Sequence, residues 1–541
     1  MSRVSSPLAY PQVLRNLARL VTQQISLGDS KALIRRRLAT REERFLRFVA
    51  RYIYGYPRSP YLPLLAHAGA ELGDLQMMVR QRGLEGTLER LRDEGVYFSF
   101  EEFKGRIDVV RGGRPHRFSE RDFDNPFQGP TLEIRTGATS SLGSRVGVAL
   151  EFIAEQRAPS YHVMLDAIGA AQTPLLVWFP GFPSGAGISA WLALANMGRP
   201  PLRWFSMTDP HGPSVGMRHR MLLTAARFLA RRRGLDLPMP EFTPVSSSAV
   251  VLDSILSVRR RQGGVALITS PSAAVRLAGL AQKWKESLQD VRLLVGSEPL
   301  TPGKAEEIRR TGAVVGTMYV FSEGGAVGIA CGNPLAPDDM HFAADCYAMI
   351  LRRRPMPGVG ELDAYMFTSL LDSAPKIMLN VESDDFGEFT TRRCGCVFDE
   401  LGLGHHFAYV RSFTKLTGEG ATLLGTDCVR ILEEVLPREF GGRSIDYQLL
   451  ETEDEDHLTR LFLAISPEVG PLDEQKVLAR FVEALHHSQP RGAISPLWTQ
   501  AGTIRVVRRE PVPTPRGKLL PFHTQALALL RDRAPAESAE R

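Results

Sequence analysis

The chain has 541 residues, of which 43% are hydrophobic and 23% charged, values that are ordinary for globular proteins and exclude a disordered or collagen-like chain. Lysine and arginine total 66 against 60 acidic residues, and the resulting net charge of +6 is dispersed rather than gathered into a basic stripe, so we expect no nucleic-acid binding. The length predicts more than one domain.

The first 125 residues are predicted to be mostly helical. In residues 41–54, the apolar side chains of Phe45, Phe48, Val49 and Ile53 recur at helical spacing. Leucines 84, 88 and 91 continue this pattern. We therefore expect a helical leader region before the main body of the protein.

Between residues 130 and 410 the pattern changes to short apolar runs that alternate with amphipathic stretches. The runs are residues 175–179, 264–268, 291–295 and 313–316, and the helical segments between or after them include 273–288 and 304–310. Apolar strands that alternate with helices of this length indicate parallel βαβ units.

The last part of the chain reads as a small α+β unit. Residues 445–451 and 458–466 alternate like strands around an acidic tip, residues 473–487 form an amphipathic helix, and 503–509 read as a further strand. We place the boundary so that residues 1–410 form a large N-terminal domain and residues 411–541 a small C-terminal domain.

Five cysteines are too few and too clustered for a disulfide framework and fit a reducing compartment; they are Cys331, Cys346, Cys394, Cys396 and Cys428. Cys394 and Cys396 could form a structural zinc site with Cys331, Cys346 or the pair His405–His406. Their Cys-x-Cys spacing is shorter than zinc sites usually have, and buried inert thiols are common, so we do not expect zinc. The chain shows neither a signal peptide nor an apolar run of about 18 residues, and we expect a cytoplasmic protein without membrane contact.

A loop of hydroxyl residues and glycines is the first segment that could carry chemistry. Its candidate ligand residues are Thr136, Gly137, Thr139, Ser140 and Ser141, with Arg145 close behind. Backbone N–H groups and hydroxyls of this kind can cradle phosphate oxygens. The Gly-Lys-Ser/Thr ending of a Walker A loop is absent, and a flexible connector is the alternative.

Two further segments follow predicted strands, where open α/β sheets place ligands. Gly296, Ser297, Glu298 and Pro299 come after the strand at 291–295, and Tyr319, Ser322 and Glu323 come after the strand at 313–315. An aromatic ring there can stack on a base and a carboxylate can hold Mg²⁺. The alternatives are a simple turn for the first segment, and a core tyrosine with a surface glutamate for the second.

Taken in order, these segments resemble the adenylate-forming superfamily, in particular its phenylacetate–CoA ligase-like and acyl-protein synthetase-like branch. The resemblance runs from about residue 131 to Lys518. The loop at 136–145 takes the place of the family's phosphate loop, residues 296–299 match Gly-Ala-Glu-Pro with one change, and residues 319–323 match Tyr-Gly-x-Ser-Glu. Further matches are Asp385 for the ribose-binding aspartate, Arg411 with Gly420 for the hinge motif, and Gly517–Lys518 for the terminal lysine.

The resemblance implies an α/β enzyme with a large multi-sheet N-terminal domain and a small mobile α+β C-terminal domain. It also implies ATP-dependent activation of a carboxylic acid to an acyl-adenylate and transfer of the acyl group, with CoA as the expected acceptor. Lys518 would bridge the carboxylate and α-phosphate, Glu323 would coordinate Mg²⁺, and Asp385 would bind the ribose. Residues 136–141 would hold the phosphates, residues 296–298 and Tyr319 would frame adenine, and Arg411 would contact ribose or phosphate at the hinge.

Several positions depart from the family pattern. The Pro-Lys ending of the phosphate loop is missing, Val320 replaces a glycine, and Phe413 occupies a hinge position that is usually Asp or Lys. Glu323, Asp385, Arg411 and Lys518 are all retained, so we expect an active enzyme. A nucleotide-binding homologue without turnover is the alternative.

The acid substrate and the acyl acceptor are less sharply indicated. Trp178, Phe179, Phe182 and residues 269–272 are expected to line the acid pocket, which favours an aryl or hydrophobic acyl group, although core packing explains the same aromatics. A protein thiol, an amine or another small nucleophile is the alternative acceptor to CoA. A homodimer is left open.

Overall fold

The structure is a computed structural model of the chain. It describes residues 10–129, 131–135, 138–139, 145–182, 184–212, 215–321, 323–356, 360–413, 415–418, 421–424, 431–442, 446–454, 456–488, 502–512 and 521–523.

The N-terminal part is helical, as predicted. Its helices are α1 (Tyr10–Thr22), α2 (Leu27–Ala39), α3 (Arg41–Val49, continued by a π-helical turn at Ala50–Tyr54), α4 (Leu62–His67), α5 (Leu72–Asp93) and α6 (Phe100–Phe103). Arg44 of α3 donates to the backbone carbonyls of Asp345 at 2.7 Å and Leu370 at 2.6 Å. These buried, charge-assisted bonds fix the helical region to the main sheet.

Five short strands follow or interrupt these helices: β1 (Val109–Arg111), β2 (Arg114–His116), β3 (Thr131–Arg135), β4 (Ala138–Thr139) and β5 (Arg145–Ala149). β3 and β5 pair antiparallel as the β3–β5 hairpin, with Arg135 opposite Arg145. A 3₁₀ turn at Glu120–Phe123 precedes this hairpin, and helix α7 (Leu150–Phe152) with a π-helical turn at Ile153–Arg157 follows it.

One half of the twelve-stranded main sheet is parallel and carries helices between its strands. Its strands are β6 (Leu175–Trp178), β7 (Arg203–Ser206), β8 (Pro240–Phe242), β9 (Val265–Thr269), β10 (Val291–Gly296) and β11 (Val314–Phe321). The helices are α8 (Ala158–Ala167), α9 (Ala186–Asn196), α10 (Met217–Arg231), α11 (Ser248–Gln262, after a 3₁₀ turn at Val245–Ser247), α12 (Pro271–Lys283) and α13 (Pro302–Arg309). The parallel βαβ arrangement expected from the apolar runs is confirmed.

The other half of the sheet is antiparallel. It contains β12 (Gly325–Ala330), β13 (Met340–Phe342), β14 (Tyr347–Met356), β15 (Gly360–Ser369), β16 (Val381–Thr391) and β17 (His405–Ser412), with the short helix α14 (Val397–Glu400) before β17. The strand order across the whole sheet is β14-β15-β16-β17-β13-β12-β11-β10-β9-β6-β7-β8. Arg411 in β17 pairs with Phe386 in β16, so this strand of the main sheet crosses the boundary expected between residues 410 and 411.

The core lies on both faces of the parallel strands. β6 and β9 are buried along their whole lengths, because helices cover the sheet on both sides. Helices α11, α12 and α13 bury the side chains of Leu252, Leu277 and Ile308 under this sheet. Complete burial of each such side chain contributes about 1.5–3 kcal/mol.

The C-terminal part forms a separate four-stranded sheet of order β22-β21-β20-β23. Its elements are β18 (Lys415–Gly418), β19 (Ala421–Leu424), a π-helical turn at Ile431–Val435, α15 (Leu436–Phe440), β20 (Tyr447–Glu453), β21 (Thr459–Ile465), a 3₁₀ turn at Pro467–Val469, α16 (Glu474–Ser488), β22 (Ile504–Arg508) and β23 (Phe522–His523). The predicted strands around the acidic tip, the predicted helix and the strand near residue 505 are all confirmed.

The acidic tip of the β20–β21 hairpin rests on the start of α13. Lys304 Nζ donates to Thr459 Oγ1 at 2.6 Å, and the hydroxyl of Thr301 bonds the carboxylate of Glu453.

None of the described helices is long and apolar enough to cross a membrane.

Candidate functional site

The ends of the parallel strands β10 and β11 bring two of the predicted segments side by side. Gly296, the last residue of β10, lies opposite Met318 in the parallel register, one residue before Tyr319. A Cβ atom at position 296 would lie 2.8 Å from Cγ of Met318, so any other residue would require Met318 to shift. Ser297 follows with a left-handed φ of 76°, which turns the chain sharply out of the sheet.

Glu298 of the same segment is held by protein groups. Its carboxylate accepts hydrogen bonds from the backbone N–H of Ser272 at 2.5 Å and from the Ser272 hydroxyl at 2.9 Å. Lys304 lies 3.4 Å from the same carboxylate, and both side chains of this ion pair are fully buried. Glu298 therefore ties the end of β10 to the starts of α12 and α13.

Tyr319 and Asp385, predicted as the adenine-side ring and the ribose carboxylate, meet directly. The phenol of Tyr319 donates to Oδ2 of Asp385 at 2.5 Å, and the hydroxyl of Ser412 bonds the other carboxylate oxygen. Burial and the negative charge of Asp385 raise the pKa of Tyr319 well above its ordinary value, so the phenol stays protonated and remains a donor.

Arg411 precedes Ser412 in β17, where it pairs with Phe386, the residue after Asp385. Its Nη1 donates to Oδ2 of Asp338 at 3.1 Å and to its neighbour's backbone carbonyl at Val410, 2.7 Å away. The side chain is buried, and its Nε has no hydrogen-bond partner among the described residues. An unused donor on a buried guanidinium suits an anionic or hydroxyl ligand.

Glu323, the predicted magnesium ligand, forms an ion pair that the sequence did not reveal. Lys104, just after α6, places Nζ 2.5 Å from Oε1 of Glu323 and 2.7 Å from Oε1 of Glu120, and the side chains of both Lys104 and Glu323 are 11% exposed. Burial alone would raise the pKa of Glu323, but the adjacent Lys104 charge and its hydrogen bond outweigh burial and lower the pKa to about 2. Glu323 is therefore ionised at neutral pH.

The predicted phosphate loop lies in the chain between β3 and β5. Thr139 contributes its backbone to β4, which pairs parallel with β19, while Thr136, Gly137, Ser140 and Ser141 lie outside the described residues. In the π-helical turn that follows the hairpin, Gln156 donates to the carbonyl of Ala326 at 2.7 Å, three residues after Glu323. Ser322 and Lys518 also lie outside the described residues.

The aromatic residues expected to line an acid pocket are built into the core. Trp178 is fully buried and donates from Nε1 to the carbonyl of Thr243 at 3.1 Å. Phe182 stacks on His219 with ring centroids 4.2 Å apart. Thr269 donates to the carbonyl of Trp178 at 2.8 Å. Core packing therefore accounts for Trp178 and Thr269.

Lys104 is the site residue that the sequence analysis missed. It lies 219 residues before Glu323, in the region predicted to be mostly helical, where a single lysine carries no recognisable signal. Only the fold shows that its charge neutralises the predicted metal ligand.

Comparison with known proteins gives the fold. No protein-family model and no curated protein matches the chain. Among solved structures, a 2-hydroxyisobutyryl-CoA ligase in complex with 2-HIB-AMP and CoA aligns with a TM-score of 0.57 at 14% identity, over 92% of each chain. An o-succinylbenzoate CoA synthetase from Bacillus subtilis aligns at 0.42 and 12% identity, over 82% of this chain and 80% of that one. An amide bond synthetase from Marinactinospora thermotolerans aligns at 0.39 and 12%, over 92% and 94%.

The first of these alignments covers nearly the whole of both chains. Together with the mixed sheet and the separate C-terminal unit, it shows that the chain has the fold of adenylate-forming enzymes. The fold class expected from the sequence is confirmed.

Proposed function

We propose that this protein is an ATP-dependent acid ligase that activates a carboxylic acid as an acyl-adenylate and then transfers the acyl group, with CoA as the acceptor. The observation that carries the proposal is the hydrogen bond between Tyr319, which lies next to the end of β10, and Asp385, from two widely separated parts of the chain. In open α/β sheets, ligands bind at the carboxyl ends of the strands.

The proposed first step joins the acid to the nucleotide. A carboxylate oxygen of the substrate attacks the α-phosphorus of ATP, and the bond to the bridging oxygen of pyrophosphate breaks. Because both reactants are anions, the step needs neutralisation of charge more than it needs a general base. In the proposal, Lys518 supplies this positive charge between the carboxylate and the α-phosphate, and residues 136–141 hold the outer phosphates.

Residues within the part of the chain that the structure describes would bind the nucleoside. Asp385 would accept hydrogen bonds from the ribose hydroxyls, held in position by the phenol of Tyr319. The backbone at Gly296 and Ser297, with the ring of Tyr319, would border the adenine. Arg411, whose Nε has no hydrogen-bond partner among the described groups, would donate to ribose or phosphate.

Magnesium does not fit Glu323 as the carboxylate is arranged here. Mg²⁺ seeks anionic oxygen ligands, and Glu323 is ionised, but Lys104 already occupies Oε1 with a buried ammonium group. A divalent cation bound at that oxygen would lie directly beside the positive charge of Lys104. We therefore assign no step to a metal at Glu323.

The second proposed step transfers the acyl group. The thiolate sulfur of CoA attacks the acyl carbon, the bond to the phosphate oxygen breaks, and AMP leaves. The similarity in fold to a ligase captured with 2-HIB-AMP and CoA supports CoA over an amine or a protein thiol. For the acid, the proposal is an aryl or other hydrophobic acyl group.

The test is pyrophosphate exchange into ATP across a panel of aryl, branched and straight-chain acids. Exchange that depends on one class of acid supports the adenylation step, and its absence with every acid contradicts it. Addition of CoA, a carrier-protein thiol or an amine to the active acid then identifies the acceptor by the product formed.

The Lys104–Glu323 ion pair favours one alternative, a nucleotide-binding protein without turnover. The pair occupies a carboxylate that the family resemblance assigns to catalysis. This alternative predicts that ATP binds in calorimetry while exchange stays absent with every acid. A Lys104→Met variant that acquires exchange would identify the lysine as the cause of inactivity.

A further inference from the structure

A cluster of three cysteines and one histidine lies outside the proposed nucleotide site. The sulfur atoms of Cys331, Cys394 and Cys396 and a ring nitrogen of His341 all lie within 4.8 Å of one another. His341 Nε2 is 3.1 Å from Sγ of Cys396 and 3.4 Å from Sγ of Cys394. Four soft or borderline ligand atoms thus lie close enough together to bind one metal ion.

These distances suit a tetrahedral zinc ion. Zinc binds thiolate sulfur at about 2.3 Å and imidazole nitrogen at about 2.0–2.1 Å, which places a nitrogen and a sulfur on one ion roughly 3.5 Å apart. A disulfide does not explain the cluster, because all three cysteines are free. We propose that Cys331, His341, Cys394 and Cys396 form a structural zinc site.

The groups around the cluster support this assignment. Nδ1 of His341 lies 2.7 Å from the backbone carbonyl of Leu403, so it carries the proton and leaves the Nε2 lone pair directed at the three sulfurs. Backbone N–H groups donate to the sulfurs, from Asn333 to Cys331 at 3.3 Å and from Cys396 to Cys394 at 3.4 Å. Such bonds stabilise the thiolate form, which is the form that binds metal.

The short Cys-x-Cys spacing argued against zinc in the sequence. The conformation of Gly395 explains how this spacing can still supply two ligands. Its φ of +71° puts the chain into the left-handed region, where glycine is favoured, and the two flanking sulfurs turn to the same side. Cys331, His341 and Cys396 are buried, and Cys394 is half-buried. A closed set of four protein ligands leaves no open position for a substrate, as in structural rather than catalytic zinc sites.

A second set of side chains adjoins the cluster. His406 bonds Asp339 at 2.7 Å through Nδ1, its ring centroid lies 4.0 Å from that of His341, and Cys331, Asp339 and His406 could also approach one ion. The set with three sulfurs is favoured for zinc, because thiolates select this metal over the ions that carboxylates prefer. His406 and Asp339 then lie beside the zinc site without binding the ion.

The fold indicates what the ion would hold together. Cys331 follows β12, His341 lies in β13, and Cys394 and Cys396 connect β16 to α14. β13 pairs with β17 at His341–His406, and β17 pairs with β16 next to Asp385 and Arg411. The zinc would therefore fasten the far ends of the strands that carry two of the nucleotide-site residues.

The experiment is elemental analysis of the full-length protein, followed by titration of chelator-treated protein with Zn²⁺ alone. We expect about one zinc per chain that rebinds after stripping. Substitution of Cys394→Ser together with Cys396→Ser should remove it. Cys346→Ser should keep it, since Cys346 is a buried thiol beside Asp345 and Arg37, away from the cluster. His406→Gln should also keep it.

Cobalt substitution of the wild-type protein gives a readout that needs no variant. Co²⁺ should produce the intense near-ultraviolet absorption of thiolate ligation and the visible bands of a tetrahedral ion. Stripped protein that takes up neither metal overturns the proposal, as does zinc uptake that the double cysteine variant leaves unchanged. Loss of zinc in His406→Gln but not in the double variant would assign the metal to the Asp339–His406 set and overturn the proposed ligands.

Discussion

The phenol of Tyr319 donates a 2.5 Å hydrogen bond to the carboxylate of Asp385, although the two residues lie 66 positions apart in the chain. The bond orients one carboxylate oxygen, and the Ser412 hydroxyl holds the other. Both oxygens of the Asp385 carboxylate are thus held by neighbouring side chains.

The first prediction concerns this carboxylate. Asp385→Asn should lower kcat/KM for ATP in pyrophosphate exchange by roughly 10- to 100-fold, because a hydrogen bond to a charged group contributes about 1.5–3 kcal/mol. Tyr319→Phe is the matched control for orientation and should cost less, since the carboxylate remains. Equal ATP kinetics in wild type and Asp385→Asn would contradict the ribose-binding role.

The second prediction concerns the lysine near the C-terminus. Lys518→Ala should lower the rate of pyrophosphate exchange by at least about 10²-fold, the usual effect of losing one charged transition-state contact, while ATP affinity measured by calorimetry changes little. Lys476→Ala, on the exposed face of α16, serves as the control and should leave the rate unaltered. Native exchange by Lys518→Ala would refute its proposed role.

The third prediction is a pH dependence of stability. The pKa of Glu323 falls from an unfolded value of about 4.3 to about 2 in the folded protein, so its ion pair with Lys104 stabilises the fold above about pH 4.3 and loses this effect as the pH falls towards 2. The pKa of Lys104 is raised, burial being outweighed by Glu323 and Glu120, so the pair stays charged at neutral and mildly alkaline pH.

Urea denaturation at pH 6 and pH 3.5 measures this effect. The wild type should lose more unfolding free energy between the two pH values than Glu323→Gln, whose amide does not titrate. The variant should also be less stable at pH 6, by about 3–5 kcal/mol, because Lys104 keeps a buried charge with one partner fewer. Identical acid sensitivity of the two proteins would show that the ion pair does not form.

The fourth prediction concerns Lys304, which joins two parts of the protein. Lys304→Met removes the fully buried partner of Glu298 and the donor to Thr459, so unfolding free energy should fall by about 3–5 kcal/mol. The double variant Lys304→Met, Glu298→Gln should recover part of this loss, since no charge is left unpaired. Lys283→Met, at an exposed position at the end of α12, should change stability by less than about 0.5 kcal/mol.

The parallel half of the main sheet could be predicted from the sequence because its strands are buried on both faces. Such strands are continuous apolar runs, as at residues 175–178 and 265–269, and they need no alternation to be recognised. The long antiparallel strands β14 and β15 gave no such signal. Arg352, Arg353 and Arg354 interrupt β14 with consecutive charges, and these are satisfied by carboxylates on other strands, such as Glu382 on β16.

The candidate site could be predicted from the sequence only in part, because only some of its residues lie in recognisable motifs. Tyr319, Glu323 and Asp385 lie in short motifs whose residue types are characteristic together, so they could be singled out. The partners that set their behaviour, Lys104 and Ser412, are isolated residues without a motif. Likewise, the Cys-x-Cys pair drew notice while His341, 53 residues before Cys394, did not. Tertiary proximity is not encoded in local spacing.

The parallel pairing of β4 with β19 has a consequence for the order of folding. Ala138 lies opposite Thr422, so a strand that lies in the chain between β3 and β5 is completed by residues 284 positions further on (422 − 138). During synthesis, which proceeds at about 5–20 residues per second, that strand waits for its neighbour for tens of seconds. The pairing of β4 with β19 can therefore form only after the main sheet has been translated. In a chain truncated after Ser412, β4 would lack this partner strand.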